Sequence, residues 1–521
     1  MPRDDIPPKA AYETVTEHSR RILDLEKADF LMRWDSDVMM PAGGGPARAS
    51  QRSTIAAAQH RYRTDEELSR ALEALAANEQ WLDANQAAVV REVRRGQEVA
   101  TRVPRTVTEE ISEVTSSAHE AWKAATEAAD WSQFAPAMAD VVDAWLTWAD
   151  HVAPDAEPFE TLWANRVGYH GQRYLAWETV DRIFDELRTA LVPLIEAVRE
   201  SDADLTTDAF TRHGPYDHDR QRELCRAALT TLGLNWDRAR LDEAPHPFSY
   251  GTQYDVRITT RYETESPLDA LQGVLHEFGH TAYTHGLPQA HYGDPIGEPR
   301  GLGVHESQVR FFENHVGGTE AFWEFFRPTV LEQFPRLSGV SARELYETVN
   351  QVYEDNPIRV AADELTYHMH IILRTEIEQA LVAGGMDVRE VPAVWDDKMD
   401  EYLGLRPTSD ANGPLQDPHW AGQIPAFATY TVGSVLAAQL DAAMREALDA
   451  DVDELIRAGE FGPIRDWLTE EIHRHGQRYR TDELIERATG EPLTAKYFIE
   501  YVREKYADLY ELSLGSASSH L

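Results

Sequence analysis

The sequence predicts a mainly α fold with one small β element, from the spacing of its apolar residues. Six segments carry apolar residues at intervals close to i, i+3, i+4 and i+7, which is the period of one helix face. These predicted helices span residues 12–31, 86–103, 174–198, 342–350, 359–383 and 495–512. Alternation of apolar and polar residues is rare, and its best example, YDVRITT at 254–260, predicts a strand.

The length and composition of the chain favour one large domain. Its 521 residues are 42% hydrophobic, which is ample for a buried core, and neither a repeat nor a Pro/Gly/Ser-rich linker interrupts it. We expect a single domain over 1–521, with a helical part at about 1–240 and a part at about 241–515 that carries the metal-binding pattern described below. No apolar run approaches the roughly 18 residues of a membrane span, and the N-terminal residues show no signal pattern.

The charge and the cysteine content limit the partners and the compartment. The formal net charge is −40, which disfavours nucleic acid and anionic membranes as partners. Cys225 is the sole cysteine, so no intrachain disulfide can form, and a reducing cytoplasm fits. Only six of the 50 basic residues are lysines. An acidic, lysine-poor chain predicts a salt-adapted, halophilic protein, although a high-GC genome also favours arginine over lysine.

The segment LHEFGHTAYTHG at 275–286 predicts a helix that presents two histidines. Ser266 and Pro267 are good residues for a helix start, and Gly286 followed by a proline is a good stop. His276 and His280 are four residues apart, so they lie on the same side of the predicted helix, away from its apolar stripe.

Two imidazoles at this spacing can bind one Zn²⁺ ion, and the glutamate between them can act on a metal-bound water. Glu277 directly follows His276, which places it too close in sequence to be a comfortable third ligand but well for a general base. The alternative is a packed, hydrogen-bonded histidine pair with a purely structural role.

A catalytic zinc ion needs a third protein ligand and an open position. The favoured third ligand is Glu306, which lies early in the next helical pattern, starting near Val304. A zinc ion held by His276, His280 and Glu306 would activate a water whose proton Glu277 accepts, so the predicted reaction is metal-assisted amide hydrolysis. The weaker alternatives for the third ligand are His285, His291, His305, Asp294, Glu298 and Glu313.

Six motifs resemble the thermostable carboxypeptidase Taq family of metallocarboxypeptidases and occur in the order of that family. They are HPF at 246–248, DVRIT at 255–259, HEFGH at 276–280, HESQ at 305–308, IRVAAD at 358–363 and GPLQDPHW at 413–420. The resemblance implies a large, helical, two-lobed fold with a deep substrate groove, and usually a homodimer. It also implies a zinc or cobalt site and broad-specificity removal of C-terminal residues from peptides. The residues alone do not distinguish zinc from cobalt or manganese, either of which is a possible substitute.

The resemblance carries over the metal ligands and the base by position. They fall on His276, His280 and Glu306, with Glu277 as the base, in agreement with the spacing argument. The arginine of the IRVAAD motif is Arg359, and a guanidinium suits the free α-carboxylate that an exopeptidase must recognise.

The alternative role for Arg359 is an ion pair with Asp363, four residues further along a predicted helix. Three further candidates for substrate binding precede the zinc helix: His246, Asp255 and Arg257. If 254–260 were an edge strand, its backbone could pair with an extended peptide. Alternatively, Asp255 and Arg257 simply bridge each other.

The GPLQDPHW segment offers candidates for stabilising the oxyanion that forms during amide hydrolysis. Asp417 and His419 can form a carboxylate–histidine pair that donates a hydrogen bond to the oxyanion, and Tyr430 is a second possible donor. The alternative is a buried loop in which Trp420 packs and the polar groups satisfy the backbone.

Two other functions compete with a carboxypeptidase. An oligoendopeptidase or a dipeptidase of similar fold would differ in its products. A carboxypeptidase releases single residues stepwise from the C-terminus, and the endopeptidase alternative makes internal cuts. A non-catalytic peptide-binding protein would have a broken site, yet both histidines and both glutamates of the predicted site are intact.

Overall fold

The computed structural model describes residues 6–165, 174–353, 355–425 and 427–513, and most of these residues are helical. The helices before the sheet are α1 Pro8–Val38, α2 Gly45–Arg63, α3 Glu66–Ala76, α4 Ala84–Arg102, α5 Arg105–Ala128, α6 Ala135–Val152, α7 Pro158–Asn165, α8 Trp177–Arg199 and α9 His218–Leu232. The strands are β1 Ala239–Glu243, β2 Phe248–Thr252 and β3 Asp255–Thr260. The helices after the sheet are α10 Leu268–Gly286, α11 Leu302–Arg310, α12 Glu320–Gln333, α13 Ala342–Val349, α14 Tyr367–Val382, α15 Val391–Leu403, α16 Ala428–Ala447, α17 Val452–Ala458, α18 Gly462–Glu471, α19 Thr481–Thr489 and α20 Lys496–Leu509.

The predicted mainly α fold with a small β element is confirmed, and one predicted helix is wrong at its start. Arg359 lies in a single 3₁₀ turn, Arg359–Ala361, and α14 begins only at Tyr367. The cause is Asp363, whose Oδ1 accepts the amide N–H groups of Leu365 at 3.0 Å and Thr366 at 2.9 Å. A side chain that takes these amides competes with the helix, so the chain turns before α14 starts.

The chain divides into two compact units, each built from three segments. The first unit comprises Met1–Arg102, Phe210–Gly339 and Ala443–Glu491, and the second comprises Val103–Ala209, Val340–Ala442 and Pro492–Leu521. The expected single domain with a division at about residue 240 stays a prediction. No described helix has a stretch long and apolar enough to cross a membrane.

The sheet belongs to the first unit and has the strand order β1-β3-β2. The strand β3 pairs in parallel with β1 and antiparallel with β2, so it is central. The condition considered for peptide pairing, an edge strand at 254–260, is therefore not met, because both sides of β3 already have backbone partners. An extended peptide cannot add to it.

The two faces of the sheet pack against different helices of the first unit. Val256 and Ile258 are buried on the face that α10 covers, where the Thr260 hydroxyl donates to the Ala270 carbonyl at 3.1 Å. On the other face, Phe30 of α1 stacks on Tyr250 with ring centroids 5.6 Å apart. The sheet thereby holds α10 in place within this unit.

Candidate metal centre and active-site residues

The helix α10 forms where the sequence predicts it. The Ser266 hydroxyl accepts the Leu268 amide N–H at 3.1 Å, and the helix ends at Gly286. Its buried side packs Leu271, Leu275 and other apolar residues into the core. Burying that stripe orients the opposite side, and with it the two histidines.

A close helix contact brings Glu306 to the histidines. Gly279 lies on α10, and a Cβ atom at this position would stand 2.4 Å from both the Gln308 carbonyl oxygen and the Val309 Cα of α11. Only glycine allows the backbones to approach so closely. Glu306, one turn earlier on α11, is thereby pressed against α10 and is only 4% exposed.

The three predicted ligands converge. One ligand atom from each of His276, His280 and Glu306 lies within 4.8 Å of the other two, a cluster found by a search of the described residues for metal-ligating groups. Two imidazoles and one carboxylate, with no fourth protein ligand in this cluster, make a donor set that suits a catalytic zinc ion.

A carboxylate supports the first histidine. Glu313 lies in the π-helical segment Phe311–Val316 that continues α11, and its Oε2 is 2.9 Å from His276 Nδ1. This contact orients the ring and directs Nε2 away from Glu313. Burial lowers the pKa of His276, but the hydrogen bond to Glu313 and the charges of Glu313 and Glu277 outweigh burial and raise it to about 9.

A histidine supports the second ligand in the same way. The Nδ1 atoms of His280 and His305 are in hydrogen-bond contact. Burial, together with the nearby His305, holds the pKa of His280 well below its ordinary value, and burial lowers that of His305 to about 4. Both rings are therefore neutral near pH 7, so His280 can donate from Nδ1 to His305 and keep Nε2 for a metal.

Glu277, the predicted base, is buried beside the cluster. It is 4% exposed, and one carboxylate oxygen, Oε2, is buried without a hydrogen-bond partner among the described residues. Burial raises the pKa of this carboxyl, and the charge of His276 opposes that rise. An unpartnered buried oxygen beside a metal-ligand cluster is what a water or an ion would satisfy.

The rival ligands named from the sequence have other surroundings. His305 and Glu313 contact the histidine ligands, and the Glu298 carboxylate pairs with Lys27 at 2.5 Å. Asp294 faces Arg20, and their closest charged atoms are 3.5 Å apart. The converging cluster does not contain His285 or His291.

A second group of predicted residues lies in the second unit and is organised by Asp417. Its Oδ2 accepts the Arg359 Nε–H at 3.1 Å, and its Oδ1 lies 2.6 Å from His419 Nδ1. Asp417 is 2% exposed, so these charged contacts are shielded from water. Burial raises the pKa of this carboxyl, but the hydrogen bond to His419 and the charges of Arg374 and Arg359 hold it well below its ordinary value.

Arg359 is paired differently from the alternative considered above. Its ion pair is with Asp417 rather than with Asp363, whose carboxylate serves the backbone at the start of α14. The bond to Asp417 uses Nε, so the edge of the guanidinium formed by the two Nη atoms takes no part in it. The Arg359 amide N–H also donates to Gln416 Oε1 at 2.7 Å, which fixes the backbone beside the motif.

Aromatic rings complete this group. Phe427 packs against the Arg359 guanidinium at 4.2 Å, the His419 ring at 4.8 Å and the Tyr430 ring at 5.8 Å. Trp420 is fully buried, as the structural alternative for this loop expects, yet the His419 side chain is 48% exposed. The loop therefore packs through Trp420 and presents His419.

The three remaining candidates lie at the sheet of the first unit. Arg257 and Asp255 form a bidentate ion pair, with Nε donating to Oδ1 at 3.1 Å and Nη2 to Oδ2 at 2.9 Å. The Cζ atom of Arg257 also lies 4.2 Å from the centre of the Trp34 ring. His246 is exposed, and its carbonyl accepts the Thr259 hydroxyl at 3.3 Å. The contacts of Asp255 and Arg257 match the bridging alternative, and substrate binding by these three residues stays a prediction.

The fold and the two-histidine, one-carboxylate cluster beside a buried glutamate define a helical metallopeptidase. The sequence profile described as "Carboxypeptidase Taq (M32) metallopeptidase" matches residues 14–506, and the chain belongs to this family. Membership makes it a metallocarboxypeptidase, as the motifs predicted, and peptides are its substrates.

Relatives named as carboxypeptidases are similar in sequence to this chain along nearly its whole length. Thermostable carboxypeptidase 1 of Thermus thermophilus is 35% identical over 512 residues, covering 96% of this chain and 99% of the relative. Carboxypeptidase 1 of Bacillus subtilis is 33% identical over 498 residues, covering 95% and 97%. The crystal structure of M32 carboxypeptidase from Deinococcus radiodurans R1 superposes with a TM-score of 0.91 at 36% identity, covering 96% of this chain and all of that one.

Proposed function

We propose that the chain is a zinc-dependent carboxypeptidase that releases single residues from the free C-terminus of peptides with broad side-chain specificity. The observation that carries the proposal is the convergence of His276, His280 and Glu306 beside Glu277, whose buried Oε2 has no hydrogen-bond partner among the described residues. Zinc is the favoured ion because two imidazoles and one carboxylate are its usual catalytic ligands, and Co²⁺ or Mn²⁺ can substitute.

Glu277 is the proposed general base and, later, the general acid. When bound, the metal lowers the pKa of a water toward about 7 and polarises the amide carbonyl. Glu277 accepts a proton from that water and then delivers it to the leaving amine. Its burial raises its pKa, which brings its proton affinity closer to what both transfers need.

Arg359 is the proposed recognition group for the substrate α-carboxylate. Its guanidinium is held by Asp417 through Nε and by the face of Phe427, so its remaining edge is pre-oriented. A planar guanidinium binds a carboxylate through two parallel hydrogen bonds. Replacing it with lysine removes that geometry while keeping the charge.

His419 and Tyr430 are the proposed donors to the developing oxyanion. The Asp417 Oδ1 atom lies 2.6 Å from His419 Nδ1 and orients the exposed ring, whose Nε2 is the proposed donor atom. Tyr430 packs against Phe427, and the Phe427 ring also packs against His419. His246, Asp255 and Arg257 are retained as candidate contacts further along the peptide.

Two substrates test the proposal. The purified protein is assayed with an N-blocked dipeptide bearing a free C-terminal carboxylate and with the same dipeptide as its C-terminal amide, before and after chelation. We expect hydrolysis of the free acid only, loss on chelation, and recovery with Zn²⁺ at one ion per chain. Equal cleavage of the amide, or activity that survives complete metal removal, would contradict the proposal.

Arg359 is tested with Arg359→Ala and Arg359→Lys. Arg359→Ala should raise KM for the free-acid dipeptide by at least about tenfold, because a buried charge-assisted pair contributes more than about 1.4 kcal/mol. The KM of Arg359→Lys for the same dipeptide should lie between that of the native protein and that of Arg359→Ala. Longer peptides should release residues one at a time from the C-terminus, and internal fragments would instead indicate an endopeptidase.

A further inference from the structure

A fully buried arginine outside the six motifs, Arg374, lies near Asp417, the partner of the proposed carboxylate-binding residue Arg359. Arg374 lies on α14, and its side chain is 1% exposed. Its Nε–H donates to Glu378 Oε1 at 3.1 Å, and its Nη1 lies 3.6 Å from Asp417 Oδ2. A buried charge pair of this kind is costly unless each charge is compensated, so its place beside Asp417 calls for a functional explanation.

Arg374 shares one carboxylate oxygen with Arg359. The Asp417 Oδ2 atom accepts from Arg359 Nε at 3.1 Å and faces Arg374 Nη1 at 3.6 Å, while Oδ1 is taken by His419. The single negative charge of Asp417 is therefore divided between two guanidinium groups. Arg374 therefore helps to fix the carboxylate oxygen that holds Arg359 through Nε.

The position of Arg374 is fixed from several sides. Its Cζ lies 3.1 Å from the centre of the Trp420 ring, and that ring is held by a 2.8 Å hydrogen bond from its Nε1 to the Pro414 carbonyl. Phe427, which packs on Arg359, also lies 5.1 Å from Arg374 Cζ. Such stacking is strengthened when the cation is buried away from water.

We propose that Arg374 is a positioning residue for substrate-carboxylate recognition, acting through Asp417 to set the orientation of the Arg359 guanidinium. The inference rests on the proposed role of Arg359. Without Arg374, Asp417 Oδ2 loses the second guanidinium that faces it, so Arg359 is less firmly oriented. Binding of the substrate carboxylate then weakens while the chemistry at the metal continues.

The test uses a double variant that avoids leaving a bare buried charge. Arg374→Met together with Glu378→Gln removes both partners of the buried pair. The matched control, Lys505→Met together with Glu364→Gln, removes another buried pair of the same unit, whose charged atoms are 2.6 Å apart. We expect the Arg374 variant to raise KM for the free-acid dipeptide by at least about tenfold with kcat within threefold of the parent, and the control to leave KM within twofold.

A cycle with Arg359→Ala separates a positioning role from a general structural one. If Arg374 acts through Asp417 on Arg359, the Arg374/Glu378 change should raise KM little further in the Arg359→Ala background. The same increase in both backgrounds, or an increase no larger than in the control, would overturn the inference. If Arg359→Ala itself leaves KM unchanged, the proposed role of Arg359 fails first, and the inference falls with it.

Arg374→Lys supplies a second variant in case the double variant does not fold. It keeps the buried charge opposite Glu378 but loses the planar stack on Trp420 and the forked geometry. KM should rise severalfold, less than for the double variant, and the rise should again largely disappear in the Arg359→Ala background. An unchanged KM for Arg374→Lys, or a rise in KM of the same size in the Arg359→Ala background, would overturn the inference.

Discussion

Removing the carboxylate that supports His276 should change how many protons leave the protein when it binds metal. The perturbation is Glu313→Gln. In the native protein Glu313 raises the pKa of His276 to about 9, so at pH 7.5 about 97% of the metal-free molecules carry the His276 proton. A metal ion binds only the neutral ring, so binding should release about one proton from this site.

The size of the effect follows from the opposing causes of that pKa. Burial lowers the pKa of His276, and the hydrogen bond and charge of Glu313 are the largest causes that raise it. With glutamine in place of Glu313 the charge disappears and the hydrogen bond weakens, so the pKa of His276 should fall and metal binding at pH 7.5 should release fewer protons from this ring. The native protein should also lose affinity about tenfold per pH unit from pH 9 to pH 7, with a flatter profile in the variant.

Calorimetric titration with Zn²⁺ in buffers of different ionisation enthalpy measures the number of released protons directly. Glu332→Gln, an exposed change on α12, is the matched control and should behave as the native protein. At pH 9.5, where His276 is mostly neutral in both proteins, Glu313→Gln should bind zinc about 10–100-fold more weakly, because the ring loses its orienting partner. Equal proton release by the native protein and Glu313→Gln would refute this reasoning.

Three further outcomes are expected. Gly279→Ala places a Cβ atom 2.4 Å from the Gln308 carbonyl oxygen, so it should lower the free energy of unfolding by about 1–3 kcal/mol and weaken zinc binding. A Cβ atom at Gly96 would meet no atom within 4 Å, so the control Gly96→Ala should change neither property. If the two variants behave alike in denaturant unfolding and in metal titration, the close contact at Gly279 is contradicted. Burial raises the pKa of Glu92, but the charge and hydrogen bond of Arg300 and the neighbouring arginines outweigh it and lower the pKa to about 2. The stabilisation is therefore complete above the unfolded value of about 4.5 and is lost as the pH falls toward 2, so the stability advantage of the native protein over Glu92→Gln should shrink by about 2 kcal/mol between pH 6 and pH 3; a constant difference in denaturant unfolding would contradict the assignment. With a net charge of −40, thermal stability should rise from low to multimolar salt, and unchanged stability at low salt would exclude salt adaptation.

Local sequence signals were enough to predict that His276, His280 and Glu306 lie together. The start and end of α10 follow from Ser266 and Gly286, and the helix period then sets His276 and His280 side by side. Glu306 was predictable because a third ligand had to come from a neighbouring helix. These inferences need only the geometry of one helix and the coordination preference of a metal.

The supporting contacts could not be read from the sequence, because they join segments whose meeting depends on packing. His305 and Glu313 were considered as rival ligands. In the structure, His305 contacts Nδ1 of His280 and Glu313 contacts Nδ1 of His276. Gly279 carried the one usable signal, since a glycine inside a helix often marks a close approach. Its partner helix is known only from the fold.

The errors have a similar physical origin. Alternation identified β3 correctly, but strand order is a property of the sheet and not of one strand, so its central place was missed. The i, i+4 spacing of Arg359 and Asp363 suggested an ion pair on a helix, yet Asp363 stops that helix from starting there. The true partner, Asp417, lies far along the chain.

The central claim is that one metal ion is held by His276, His280 and Glu306 while Glu277 transfers protons. The most direct test measures metal content and turnover of Glu277→Gln and Glu306→Gln side by side. Glu277→Gln should retain one metal ion per chain and lose hydrolysis by about 10²–10⁴-fold, whereas Glu306→Gln should lose both the metal and the activity. A fully active Glu277→Gln protein, or a Glu306→Gln protein that binds zinc as tightly as the native one, would contradict the account.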